Sequence, residues 1–347
     1  MTTGIFGYCL KASLPGHNTG GALRARAYSD ESGEKHWGNQ TIELSVVVAA
    51  QDFGSSLQKC LTGLTAQIAP ARAEILVVSG PGGEVVFQLG KKFPSIQFIQ
   101  TPVACSIPRL WSVGIAAARG RIVALTIEQC VPAPDWAEQT LRGHAAEWPA
   151  IGGAIDINPG LGLVDWAIYF CRYSRYTPPF PPEFLDDLPG DNCSYKRAAL
   201  ESLREVIADG FWETFVHQAM RRKGERLLSD PSILVYYAGS FSWGTFFARR
   251  FRQGRYFAAR RAREMGTGQR LVRAGMFPFI SLVMLYRIAK RVWTKGRYRL
   301  KFLAALPLLA SFLVAWATGE GWGYFLGPAA GHDEDEAGAG VVLDEIR

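Results

Sequence analysis

From residue 43 onward the chain alternates between short, continuous apolar runs and longer segments whose apolar residues recur every three or four positions. The first run, Glu43-Leu44-Ser45-Val46-Val47-Val48-Ala49-Ala50, is rich in β-branched residues and lacks the alternation of a half-exposed strand. That pattern predicts a strand buried on both faces. Leu57, Cys60, Leu61 and Leu64 follow at helical spacing. Glu74-Ile75-Leu76-Val77-Val78 is a second buried strand, closed by the breaker Ser79-Gly80-Pro81-Gly82-Gly83. A helix over 84–92, a strand over 96–100, a helix over 109–119 and a strand over 121–126 complete this half. Strands separated by helices of this length predict βαβ units and a mainly parallel sheet. Ligands of such sheets bind beyond the carboxyl ends of the strands. Chemistry is therefore expected in segments 49–53, 79–83 and 126–132.

Residues 151–239 are less regular. An apolar run covers 151–157, a Pro-rich loop 178–182, and Gly210-Phe211-Trp212-Glu213-Thr214 opens an amphipathic helix that leads to a strand over 233–237. The expected outcome is a mixed sheet that extends the first one. Two further apolar stretches cover 274–288 and 302–318. Both are shorter than the ~20 residues of a membrane span. Residues 1–42 show no lasting period and read as a flexible arm, and 329–347 as an acidic tail.

Composition adds one asymmetry. Hydrophobic residues make up 48% of the 347-residue chain and charged ones 20%, which excludes wholesale disorder. The net charge is +7, but sixteen Lys or Arg and one acid lie between Arg249 and Lys301, while seven acids and one Arg lie between Gly319 and the end. Basic residues flanking apolar stretches point to an anionic membrane surface as partner. No nucleic acid is expected, because these residues flank apolar anchors instead of stacking platforms. With arginines on both sides, the stretch 274–288 is expected to lie in the interface as an amphipathic anchor. The stretch 302–318 is either a second interfacial element or a single span, with Trp293, Trp316, Trp322, Tyr298 and Tyr324 at headgroup depth. The six scattered cysteines form no C-x-x-C pair, and the first sixteen residues lack a secretory pattern, so reduced thiols in the cytoplasm are expected.

The order of motifs resembles the inverting family 2 glycosyltransferases of the membrane-associated bacterial type, over about 200 residues. Ser45-Val46-Val47-Val48-Ala49-Ala50-Gln51-Asp52 is similar to the family's first strand and nucleotide-contacting turn. Gly63-Leu64-Thr65-Ala66-Gln67 is similar to its S-L-x-x-Q helix end, and residues 109–120, with Gly114 and Ala118-Arg119-Gly120, to its R-N-x-G-x-x-x-A-x-G segment. Thr126-Ile127-Glu128, with Pro132 and Trp136 after it, stands where the family has D-x-D, Pro and Trp. Gly190-Asp191-Asn192-Cys193-Ser194-Tyr195-Lys196-Arg197 is similar to its acceptor-side G-x-N-x-x-x-R element, and Phe211-Trp212-Glu213-Thr214 to the start of its base-carrying helix.

The resemblance implies a GT-A, Rossmann-like fold over 43–240: a mixed, mainly parallel sheet flanked by helices, followed by basic, apolar membrane-associating helices over 241–328. It implies transfer of a sugar from a nucleotide-sugar donor to a lipid-linked or growing glycan acceptor, in cell-envelope polysaccharide biosynthesis. The catalytic domain would face the cytoplasm at a bacterial inner membrane. The diphosphate leaving group usually takes a divalent cation, Mg²⁺ or Mn²⁺, held by carboxylates, and the attacking hydroxyl needs a base within hydrogen-bond reach. On this reading Glu213 is the base, Glu128 the metal-side carboxylate, Asp191 and Asn192 acceptor contacts, and Ala49, Asp52, Ser79 and Arg109 donor contacts. The sequence departs from the family twice. Ser79-Gly80 replaces an acidic pair, and Thr126 replaces the first Asp of D-x-D. These departures leave a competing reading, a degenerate non-catalytic domain of the same fold acting as a membrane-bound partner subunit.

Overall fold

The computed structural model of the chain describes residues 26–27, 42–68, 72–208, 210–239, 241–263 and 265–327. The flexible arm, apart from residues 26–27 and 42, and the acidic tail expected at the two ends lie outside the described residues. The strands are β1 (Arg26–Ala27), β2 (Leu44–Ala50), β3 (Ala73–Ser79), β4 (Ile96–Gln100), β5 (Ile122–Ile127), β6 (Cys130–Pro132), β7 (Ala150–Ile157), β8 (Glu183–Leu185), β9 (Asn192–Lys196) and β10 (Leu227–Tyr237). The helices are α1 (Ser55–Thr65), α2 (Gly83–Lys92), α3 (Ile107–Ala117), α4 (Trp136–Gly143), α5 (Leu163–Tyr173), α6 (Arg197–Glu201), α7 (Arg204–Ile207), α8 (Glu213–Arg222), α9 (Trp243–Ala262), α10 (Thr267–Gly275), α11 (Phe277–Lys295) and α12 (Arg299–Leu326).

All strands join one sheet in the order β1-β4-β3-β2-β5-β9-β7-β10-β6, with β8 on β10. The pairs β4-β3, β3-β2 and β2-β5 are parallel, as βαβ crossovers require, and β9 enters antiparallel to both β5 and β7. Every residue of β2, β5 and β7 is buried, which is why these strands read as continuous apolar runs. The mixed α/β class and the buried strands are as the sequence predicts, with boundaries moved by a few residues. The register matters for function: β2 lies beside β5 with Ala49 opposite Ile127, and β5 beside β9 with Thr126 opposite Asn192. The segment just past β2, the residue just past β5 and the loop just before β9 therefore emerge together.

The helices after residue 240 pack onto this body. Helix α12 lies against α5, where Trp166 meets Tyr298 and Phe170 meets Phe302, with ring centroids 4.8 and 5.3 Å apart. It also runs parallel to α9: Trp243 Nε1 donates to Ser311 Oγ at 3.0 Å, Phe246 meets Phe312 at 4.7 Å, and Arg250 sits 4.4 Å over Trp316. The two helices touch backbone to backbone. A Cβ on Gly254 would overlap the Trp316 carbonyl, and one on Gly319 the Phe251 carbonyl, so glycine is what admits this crossing.

This packing revises the sequence reading of the C-terminal third. Helix α12 is long and apolar enough to cross a membrane by length and composition, yet 44% of its most apolar window is buried inside the molecule. Trp316 and Tyr324, expected at headgroup depth, are buried among protein groups, whereas Trp293 and Trp322 are exposed. The stretch 274–288 is divided between α10 and α11, which meet at a bend of 58°. Part of its basic flank faces the protein: Arg291 Nη1 donates to Ser174 Oγ at 3.2 Å, Lys295 Nζ to the Thr177 carbonyl at 2.6 Å, and Arg297 pairs with Asp156 at 3.1 Å.

Candidate functional site

Past the carboxyl ends of β2 and β5 lies a buried carboxylate. Glu128 follows β5 directly, is 2% exposed, and donates its backbone N–H to the Ala49 carbonyl at 3.3 Å. Its Oε1 accepts from the Gln51 backbone N–H at 3.3 Å and from Gln129 Nε2 at 2.9 Å, while Oε2 has no hydrogen-bond partner. Burial pushes the carboxyl up to about 7, with the Asp191 charge adding to the shift and the Gln51 N–H and Arg249 opposing it. Arg249, in the second turn of α9, donates to Gln51 Oε1 at 2.5 Å. An orphaned oxygen in a buried carboxylate is a group held ready for a partner.

Asp191 continues the site from the β9 side. Its carbonyl accepts from Thr126 Oγ1 at 2.9 Å, and its Oδ2 pairs with Arg172 at 2.5 Å and accepts from Tyr173 OH. The pair is almost fully enclosed, and both Arg172 and Tyr173 come from the last turn of α5. Gly190 precedes it, and a Cβ there would overlap Glu213 Oε1. The Glu213 carboxyl therefore rests on the Gly190 backbone, with glycine as the residue that makes room. Glu128, Asp191 and Glu213 thus form one strip, in which Asp191 raises the carboxyls at both ends.

Glu213 is the first residue of α8 and is 4% exposed. Burial drives its carboxyl well above the ordinary value. Its own backbone N–H and Arg172 oppose the shift, and Asp191 and Asp187 add to it. A network behind it holds α8: Asp187 accepts from Thr214 Oγ1 at 2.9 Å and bonds His217 Nδ1, and His217 Nε2 lies 2.7 Å from Tyr195 OH. On the other side Trp212 stacks on Tyr256 of α9, with ring centroids 5.4 Å apart.

The remaining sequence-expected residues separate. Ala49 contributes only its carbonyl, because its side chain lies in the core. Asp52 is exposed, and its Oδ1 accepts from the Gly54 N–H at 3.0 Å. Ser79 is buried, and its hydroxyl donates to the Gly80 carbonyl at 2.9 Å. Arg109 reaches the Ala208 carbonyl at 2.5 Å, and Phe211 N–H donates to the Pro108 carbonyl at 2.8 Å, so Arg109 braces the approach to α8. Asn192 is also a brace: its Nδ2 donates to the carbonyls of Ala154 and Ile233 at 2.8 and 2.9 Å, and its Oδ1 accepts from Trp136 Nε1 at 2.9 Å. With both amide hydrogens used inside the fold, Asn192 ties strands together.

Among the described residues, no group of three His, Cys, Asp or Glu could hold a metal ion. The donor set fits a cation shared with a phosphate ligand, since Mg²⁺-type sites commonly use one or two carboxylates plus substrate phosphates and water. Glu128 Oε2 is the protein oxygen open to that role. Cys60, Cys105, Cys130 and Cys193 carry free thiols.

No protein-family profile matches the chain, and no curated protein matches it in sequence. Solved structures do. Mannosyltransferase PcManGT from Pyrobaculum calidifontis, in complex with GDP-Man and Mn²⁺, superposes with a TM-score of 0.52 at 15% identity, covering 82% of this chain and 88% of that one. The fold is GT-A. GalNAc-T7 with UDP, GalNAc and Mn²⁺ (TM-score 0.45, 14% identity, 60% of this chain and 47% of that one) and S. aureus TarS 1-349 (TM-score 0.41, 14% identity, 78% and 71%) align more loosely.

Sequence reasoning missed Arg172, Tyr173, Asp187, His217, Tyr195 and Arg249. A lone arginine inside the apolar segment 166–173 was the available signal for Arg172, because an unpaired buried charge is costly and demands a partner. Arg249 was grouped with the membrane-facing basic residues. The structure turns it toward Gln51 and Glu128.

Proposed function

We propose that the chain is a glycosyltransferase that moves a hexosyl group from a nucleotide-sugar donor by an inverting single displacement, with the donor diphosphate at the Glu128 end of the strip and the acceptor at the Glu213 end. The observation that carries this reading is the strip itself, two buried carboxyls raised by burial on either side of the Arg172–Asp191 pair, beyond the ends of a GT-A sheet.

In the reaction, the acceptor hydroxyl oxygen bonds to the anomeric carbon as the bond from that carbon to the donor phosphate breaks. The hydroxyl proton goes to the Glu213 carboxylate, and the nucleoside diphosphate leaves with the bonding electrons. A carboxylate with a raised pKa is the stronger base for this transfer. Gly190 sets where that carboxylate rests, and the Asp187–His217–Tyr195 network keeps α8 from turning it away. Arg249 supplies positive charge beside Glu128. A divalent cation, when bound, would neutralise diphosphate charge, and Glu128 with the phosphate oxygens would hold it.

The acceptor on this reading is lipid-linked or a growing glycan, and the enzyme works at a membrane surface, as a bacterial cell-envelope enzyme on the cytoplasmic face would. What supports it is the apolar face left exposed along α10 and α11: Val272, Phe279, Leu282 and Tyr286 are 64–67% exposed, a density that marks an interaction surface. A membrane-held enzyme also gains effective concentration for a membrane-held acceptor.

Calorimetric titration with nucleoside diphosphates tests the donor end. Mn²⁺ should tighten binding by about tenfold or more in the wild type and little in Glu128→Gln, since one ligating oxygen is lost. Failure of every nucleoside diphosphate to bind, with or without cation, would remove the donor site.

A further inference from the structure

A cavity of about 690 Å³ lies between α9, α10, α11 and α12, apart from the carboxylate strip. Its lining divides by chemistry. Arg261, Arg273 and Glu320 supply charged groups, and Val272, Met276 and Ile280 supply apolar surface. Glu320 is 2% exposed and accepts from Trp316 Nε1 at 3.1 Å. Arg261 and Arg273, which line the same cavity, both favour its charged form. Each guanidinium also lies on a ring, Arg261 on Phe257 at 5.0 Å and Arg273 on Tyr324 at 5.9 Å. Two guanidiniums therefore accompany one buried carboxylate, and the cavity keeps an excess positive charge. Of its apolar lining, Val272 and Met276 are also exposed, on the surface that includes Phe279.

An anion alone would have no use for the apolar lining, and an apolar molecule alone would have none for the excess positive charge. We propose that this cavity is a subsite for the phosphate head of a single long-chain lipid, with Arg261 and Arg273 on the phosphate and Val272, Met276 and Ile280 along the first part of the chain. Arg fits this task because its planar fork meets phosphate oxygens in pairs.

The subsite also has a place relative to the strip. Arg249, beside Glu128, and Arg261 are twelve residues apart on α9, a rise of about 18 Å, and Tyr256 between them stacks on Trp212 next to Glu213. A phosphate at Arg261 would stand five residues along α9 from Tyr256, the residue that meets Trp212 next to Glu213, which suits a lipid that serves as acceptor. This purpose rests on the acceptor half of the proposed function, whereas the binding itself does not.

The test uses the full-length protein and no transfer reaction. It is titrated with dihexanoyl phosphatidic acid below its micellar concentration, with dihexanoyl phosphatidylcholine, and with inorganic phosphate. Phosphatidic acid should bind saturably, one to one, and at least tenfold tighter than either of the others. Arg261→Ala/Arg273→Ala should weaken it at least tenfold, while Arg263→Ala/Lys290→Ala, which removes equal charge from exposed positions, should leave it unchanged. Equal loss in both double variants would reduce the effect to surface charge and overturn the proposal. So would phosphate binding as tightly as the lipid, which would make this a free-anion site, or phosphatidylcholine binding as tightly as phosphatidic acid. Should the arginine pair prove necessary for folding, Val272→Ser, which removes apolar lining without adding charge, keeps the test decisive: it should weaken lipid preference without altering phosphate binding, and retained preference would sink the idea. Loss of lipid binding with intact nucleoside diphosphate binding would refute the subsite and leave the donor reading standing.

Discussion

The sheet and the α10–α11 pair use the same apolar residue types for opposite ends. Every side chain of β5 is buried, whereas in α11 Phe279 and Leu282 are each 64% exposed. In the sheet, apolar residues stabilise the fold by leaving water, and they aim the polar residues past the strand ends. In α10–α11 only Met284, Ile288 and Val292 are buried, and the remaining apolar residues leave a face on the outside of the molecule. One region is organised around its own interior, and the other keeps much of its apolar surface exposed.

Breaking the charge pair inside the first region should have the largest effect on stability. Asp191→Asn leaves Arg172 enclosed without its carboxylate, and such losses cost about 3–5 kcal/mol. Chemical denaturation should report that drop along with loss of activity. A loss below 1 kcal/mol by the estimate for exposed pairs would mean that water reaches the pair.

The apolar contrast gives a matched comparison. Leu125→Ala in β5 should destabilise by about 2–5 kcal/mol, since the side chain is fully buried. Leu282→Ala in α11 should stay within about 0.5 kcal/mol. In vesicle co-sedimentation the order should reverse, with Leu282→Ala reducing partition to anionic vesicles and no comparable change for a folded β5 variant. Equal destabilisation by both would mean that the α11 face is covered within the protein.

Acid–base behaviour sharpens the account of Glu128. Its carboxyl is raised from 4.5 to about 7 in the fold, so the native state holds a proton that the unfolded chain has released between those values. Stability should fall as pH rises through that window, by up to about 3 kcal/mol for this group. Glu128→Gln should flatten the slope in thermal melts between pH 5 and pH 7 (about the two ends of the window). An unchanged slope would assign it to other groups.

How much of this was legible follows from range. The buried strands were legible because continuous β-branched runs encode two-sided burial locally, as in Val46-Val47-Val48. Glu213 was legible as the acid opening an amphipathic helix within a recognisable motif order. The partners of these groups were not. Arg172 meets Asp191 across nineteen positions, and Arg249 meets Gln51 across 198. His217 joins Asp187 and Tyr195 only because α8 docks beside β9. The protein partners of Asn192 and Arg109 were hidden for the same reason: a motif position gives the residue type, while the carbonyls that accept from it come from distant strands and loops. In α12, composition alone could not distinguish a helix facing lipid from one lying along α5 and α9, because both need apolar residues on most sides.

The central claim is that the strip from Glu128 to Glu213 transfers a glycosyl group. The most direct measurement is release of nucleoside diphosphate from a panel of nucleotide sugars by the wild type and by Glu213→Gln, with nucleotide binding measured alongside. The account predicts turnover of at least one donor by the wild type and a rate lower by about 10²–10⁴ in the variant, at closely similar nucleoside diphosphate affinity. Equal inertness of both proteins toward every donor would contradict it and leave a partner subunit built on a GT-A fold. Equal activity of both would remove Glu213 from the chemistry.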